Sequence, residues 1–220
     1  MDLTAESLVA DLRASADPAA HPNTHYAGDG EVLGVRMGTV FDVARRYTML
    51  PLGQVHVLLD EPAYEPRLAA FCVLDFFVRR PSATEAEREA RYRTYLDRHD
   101  RIDTWDMVDR AAPRVVGDYL RGRSRAPLFE LARSDDALRR RTAMTAPLAY
   151  VRPPDPEGIA DLLRLAEILA DDPDPVVRKP VAIALRHAGG ADPQAVHAFL
   201  GRLGERLPAP TRRAAQEKLP

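Results

Sequence analysis

Trp105 is the only tryptophan in the 220-residue chain, and Asp109 follows it by one helical turn within the segment IDTWDMVDR. Residues four apart share a face of a helix, so the indole and the carboxylate would stand side by side. An aromatic wall next to an acid can hold a sugar and stabilise positive charge that develops on it. The two other carboxylates of the segment have a structural use. Asp103 is placed to be the N-cap and Asp106 to be the acid three positions on, where both complement exposed amides and the positive end of the helix dipole. Asp109 lies beyond the first turn, where capping cannot use it. A core tryptophan beside a salt-bridged aspartate is the other reading of the pair.

Arg141 lies three and seven residues before Met144 and Leu148, at the margin of an apolar stripe, where a guanidinium needs a carboxylate or a phosphate. Arg139 and Arg140 fall on other sides of the same helix and are expected to face solvent or phosphate. Residues 110–152 contain ten arginines against four acids, Asp118, Glu130, Asp135 and Asp136. The whole chain has 31 Lys and Arg against 33 Asp and Glu, a net charge of -2, which by itself argues weakly against nucleic acid as partner. Phosphate meets local charge rather than the total, so the basic stretch keeps that class open. A solvated arginine-rich face is the alternative.

Other chemistries find little support. Gly28, Gly30 and Gly34 lack the spacing of a dinucleotide fingerprint, and no strand precedes them. His21 and His25 stand four apart without a third ligand nearby, so no metal site is expected, and no cofactor is implied. The single cysteine, Cys72, lies in the apolar run LAAFCVLDFFV; it can form no internal disulfide and is expected to be buried packing in a reducing, cytoplasmic setting. No apolar run approaches the roughly 18 residues that cross a membrane. The start, MDLTAESLVADLRAS, has neither a basic n-region nor an apolar h-region, so export is not expected.

The elements that must position these residues are helical. Helical periodicity dominates from Thr39 onward, with no sustained alternation of apolar and polar residues, so the class is all-α. Helices are expected over residues 4–15, 39–49, 52–60, 63–80, 84–98, 104–120, 126–134, 136–151, 157–171, 175–188, 193–204 and 209–218. Pro51, Pro62, Pro81, Gly122, Pro173, Gly189 and Gly190 punctuate them. The stretch HPNTHYAGDGEVLG, residues 21–34, is an irregular loop that could pass close to a ligand. The helix after Pro62 is apolar on two faces and should be buried nearly all round, so Asp75 within it needs a partner.

Three segments superimpose. YEPRLAAFCVL, LRRRTAMTAPL and VVRKPVAIALR each place a basic residue, Arg67, Arg141 or Lys179, before a small-residue apolar run. Arg141 and Lys179 are 38 residues apart and Arg67 and Arg141 are 74 apart, two steps of 37, with the intervening step at Thr104. A period near forty with two helices per unit is the signature of HEAT-type repeats. The expectation is one domain over residues 1–220, a single curved solenoid of antiparallel helix pairs, with Arg67, Arg141 and Lys179 as a ladder along its concave side.

DRIDTWDMVDRAAPRVVGDYL, LFELARSDDALRRRTAM and VVRKPVAIALR, with LGVRMGTVFDVARRY and YEPRLAAFCVLDF, resemble the AlkD family of HEAT-like alkylpurine DNA glycosylases over residues 25–200. The resemblance implies a monomer that binds double-stranded DNA containing alkylated bases and excises cationic N3- or N7-alkylated purines, in base-excision repair or self-resistance. It matches Trp105 to the family's sugar-contacting tryptophan, Asp109 to its catalytic aspartate and Arg141 to its active-site arginine. Arg67, Arg140, Lys179 and Ile183 are the expected DNA contacts. The chain departs from the pattern twice. Ala137 and Leu138 stand where relatives often carry a tryptophan, and Ile183 stands where the family has a second active-site tryptophan. Half of the aromatic embrace of the sugar is thereby missing, which keeps open a catalytically silent DNA-binding paralogue. A HEAT scaffold for protein partners is the third reading.

Overall fold

The computed structural model describes residues 3–24, 26, 28 and 30–219, and every regular element among them is helical, as the periodicity requires. The only strand-like pairings among the described residues are the isolated bridges Glu31 with Ala63 and Val151 with Pro154. The chain divides into two compact units, residues 1–111 and 112–220.

The first unit contains α1 (Ala5–Arg13), α2 (Met37–Arg46), α3 (Leu52–Leu59), α4 (Tyr64–Val78), α5 (Glu85–Asp97) and α6 (Trp105–Ala111). α4 is its axis, because α1, α2, α3, α5 and α6 all pack against it. All its residues except Phe76 are buried, as two apolar faces demand. Burial of each large side chain stabilises the fold by about 1.5–3 kcal/mol. Cys72 is fully buried, and burial pushes its thiol up to about 12, so it is packing and not a nucleophile.

Three charged side chains are buried with them, and each has partners. Asp75 finds the ion pairs expected of it, with Arg79 Nε at 2.8 Å and Arg110 Nη2 at 2.7 Å. Glu65 accepts from the backbone N–H groups of Leu33, Gly34 and Val35 at 2.9, 2.8 and 3.2 Å, which ties the end of the irregular segment to α4. Arg67 is paired with Asp103. His25, one half of the histidine pair weighed as a metal site, lies outside the described residues.

The second unit contains a π-helical turn (Ala112–Gly117), α7 (Asp118–Leu120), α8 (Ala126–Leu131), α9 (Ala137–Thr145), a 3-10 turn (Ala146–Tyr150), α10 (Pro156–Ile168), α11 (Pro175–Ala191), α12 (Pro193–Leu203) and α13 (Ala209–Gln216). α11 is the central helix, packed on α9, α10, α12 and α13. α10, α11 and α12 all begin with an Asp-Pro step. Asp155, Asp174 and Asp192 accept from the N–H groups of Gly158, Val176 and Ala195 at 3.0, 2.9 and 3.0 Å. The proline that follows each has no N–H to leave orphaned.

Prolines and glycines act differently from expectation at three places. Residues 104–120 are not one α-helix: α6 ends at Ala111 and a π turn follows. Pro113 has no N–H for the carbonyl four residues back, and its ring would strike that carbonyl in α geometry, so the coil widens. Residues 136–151 tighten into a 3-10 turn from Ala146, beside Pro147. α11 runs through Gly189 and Gly190 to Ala191 rather than stopping at 188. These glycines serve close approach, for a Cβ at Gly189 would stand 3.2 Å from the Ala215 carbonyl, and one at Gly190 would stand 3.3 Å from Lys218 Cδ.

Candidate active site

Trp105 opens α6 and is 38 % exposed, so it is not a core tryptophan. Asp109, one turn on, is also exposed. The rest of α6 explains why this face turns outward: Met107, Val108 and Ala111 are buried and fix the opposite side against the unit's core. Arg110 is held between them and the ring layer. Its guanidinium pairs with Asp75 and lies 4.6 Å from the Phe41 ring centroid and 4.5 Å from that of Phe76. The last turn of α6 is thus anchored next to Asp109, and the π turn begins three residues after it.

The start of α6 is built differently from the capping box expected. Asp103 is not the N-cap; it accepts from Arg67 Nη2 at 2.5 Å and from the Tyr26 hydroxyl at 2.8 Å. Asp106 accepts from the hydroxyls of Tyr64 and Thr104. Desolvation, with Asp106 as the next cause, raises the Tyr64 hydroxyl far above its ordinary range and keeps it a donor. Tertiary partners outbid capping here because a buried arginine and a buried tyrosine both need acceptors. Tyr26 and Tyr64 were not legible as site residues, since their role depends on contacts 77 and 42 residues apart in sequence.

Arg67 is 8 % exposed, and besides Asp103 it donates to the carbonyls of Glu61 and Pro62 at 2.9 and 2.8 Å and to Tyr26. Its charge serves the interior of the first unit. Arg140, expected to face solvent or phosphate, closes on Asp172 at 2.6 Å and on the carbonyls of Ser134 and Asp135 at 3.0 and 2.8 Å. The Asp172 hydrogen bond, first among the causes, raises its pKa.

Arg141 is 2 % exposed and donates from Nη1 to the Val176 carbonyl at 2.5 Å. Val176 lies four residues before Pro180, inside α11, and a proline supplies no N–H to that carbonyl. Arg141 fills the vacancy. Deleting Arg141 should therefore destabilise the second unit by about 1–3 kcal/mol, the cost of an unsatisfied buried carbonyl. Pro180→Ala returns an N–H to Val176, so in that background Arg141→Ala should cost measurably less in chemical denaturation. Equal costs in both backgrounds would refute the link.

Lys179 and Ile183 do fall together. With Arg178, Ala182 and Arg186 they form one wall of a groove of about 430 Å³ between α11 and α13, whose far wall includes Pro208, Pro210 and Ala214. Arg186 is paired across it with Glu217 at 2.7 Å.

A family model described as DNA alkylation repair enzyme matches residues 8–219. The chain belongs to that family. It is therefore an enzyme family of DNA alkylation repair whose substrate is DNA, and the resemblance seen in the sequence is to the same kind of protein. A comparison with curated proteins returned no match. No helix among the described residues is long and apolar enough to cross a membrane. Trp105 and Asp109 are both exposed on one helical face and are not core packing.

Proposed function

We propose that the chain is a monofunctional DNA N-glycosylase that releases purines made cationic by alkylation at N3 or N7 from double-stranded DNA. The observation that carries this reading is the pairing of Trp105 and Asp109 on the exposed face of α6 in a member of an alkylation-repair family. A cationic base is already a good leaving group, so the barrier lies in the positive charge that grows on the sugar as the glycosidic bond breaks. A carboxylate stabilises that charge, and it can orient the water that adds to C1′. The indole supports the deoxyribose and offers its negative face to the same charge.

The supporting parts take different roles from those the resemblance suggests. Arg141 is a positioning residue, since it fixes the first turns of α11, on which Lys179 and Ile183 sit. DNA contacts are assigned to Lys179 and Ile183 rather than to Arg67 and Arg140, whose guanidinium groups are closed on carboxylates within their own units. The decisive experiment incubates the protein with duplex DNA containing a 7-methylpurine and measures free base and abasic sites. Release of the alkylated base is expected. A binding-only reading is favoured by one residue, Ile183, where a second aromatic is missing; it predicts duplex binding with no base released.

A further inference from the structure

Two contiguous cavities in the second unit, of about 300 and 380 Å³, share Val151, Arg152 and His187. The first is also lined by Arg114, and the second by Gly190, Ala191 and Lys218. Among the described residues, every charged side chain lining them is basic and no carboxylate side chain lines either. Arg114 has an acid of its own, Asp118, at 3.2 Å. Arg152 is exposed and makes no hydrogen bond or ion pair among the described residues. Lys218 lies with its stem against Gly190, where a Cβ would meet Cδ at 3.3 Å, and its Nζ stands 3.4 Å from His187 Nδ1.

That last contact fixes the chemistry of the imidazole. An ammonium can only donate, so Nδ1 accepts, and the ring proton sits on Nε2. Burial first, and then Lys218, Arg186 and Arg152, lower the His187 pKa, so the ring is held neutral. Two cations and an N–H donor thus meet at a hollow with no acidic side chain among the described residues, in a family whose substrate is a polyanion. We propose that Arg152, His187 and Lys218 form a seat for one phosphodiester of the bound DNA strand, two cations flanking an imidazole N–H. Each cavity exceeds the roughly 30 Å³ of a single water severalfold, which leaves room for a phosphate with its first waters. The seat rests on the DNA-binding part of the function proposed above and not on its chemistry.

The three residues should leave different thermodynamic marks. A cation that neutralises a phosphate releases counterion, whereas a neutral N–H donor does not. Binding of a fluorescein-labelled duplex, measured by anisotropy over a range of salt, separates them. Arg152→Gln and Lys218→Gln should each lower the slope of log affinity against log salt, by about one unit for the two together because they share one phosphate. His187→Phe keeps a ring of similar shape and should weaken binding about threefold to tenfold with the slope unchanged at neutral pH. Thermal midpoints equal to wild type control for folding. Lys218→Gln repeats the test from the turn after α13 should Arg152→Gln loosen its own turn. Wild-type binding with unchanged slopes in both charge variants would overturn the seat while leaving the glycosylase reading intact. A wild type that binds no duplex would overturn both, and one that binds duplex without releasing base would overturn only the glycosylase. Inorganic phosphate added at constant ionic strength should not displace the duplex. If it binds the protein and the charge variants lose only that binding, the seat is for a free anion and the proposal fails.

Discussion

Asp109→Asn should leave duplex binding and thermal stability near wild type while base release falls about a hundredfold to a thousandfold. That range is the loss found when one preorganised electrostatic stabiliser is removed, about 2.7–4 kcal/mol of transition-state free energy. The substitution keeps the side chain's shape and removes the charge. Asp109 is exposed and stands past the first turn of α6, so no capping bond of the helix depends on it. Its neighbours hold the backbone independently, through the buried Met107, Val108 and Ala111 and through Arg110 on Asp75. Single-turnover release of 7-methylpurine, alongside anisotropy with the same duplex, checks both halves. Equal release by wild type and variant would show that the carboxylate does not stabilise the sugar cation. A variant that loses binding and release together would make Asp109 a recognition group.

The second large effect is on stability. Asp75→Ala should lower the free energy of unfolding of the first unit by about 3 kcal/mol, the lower end of the range for breaking a buried pair. Asp75 is 0 % exposed and takes Arg79 Nε at 2.8 Å and Arg110 Nη2 at 2.7 Å. Arg79 is half exposed and can turn to water when the carboxylate goes, which limits the loss. Arg110 cannot do so easily, with its side chain 18 % exposed and its guanidinium over Phe41 and Phe76. Urea unfolding of wild type and variant measures the difference, and a loss below about 0.5 kcal/mol, the scale of ordinary surface substitutions, would show that the pair stabilises nothing. Because Arg110 anchors the turn that presents Asp109, the same variant should also lose some base release at temperatures where it remains folded.

Much of this architecture was legible in the chain. Helix positions follow from the 3.6-residue period of the apolar residues and from punctuation such as Pro51, Pro62 and Pro173, which are local properties of the chain. The burial of α4 on all sides, and Asp75's need for an ion pair, follow from two apolar faces on one helix. Trp105 and Asp109 share a face because residues four apart must, and that relation survives in any context that keeps the helix.

What the chain could not decide is where each charge ends. Residues 110–152 hold ten arginines and four acids in sequence, yet Arg125 and Arg140 are closed on Asp155, Asp161 and Asp172, which lie 30 to 36 residues away. A local surplus of positive charge is therefore smaller in space than along the chain. Arg67 and Arg141 match when their segments are superimposed in sequence, yet Arg67 pairs with a carboxylate while Arg141 caps a carbonyl that Pro180 leaves open. Gly189 and Gly190 continue a helix because α13 and the residues after it approach so closely, whereas a glycine pair in isolation marks a stop. Spacing within a helix is fixed by backbone geometry and can be read from sequence. Partnership of a charge is fixed by desolvation and distance among segments far apart in the chain, and only the tertiary structure brings those together.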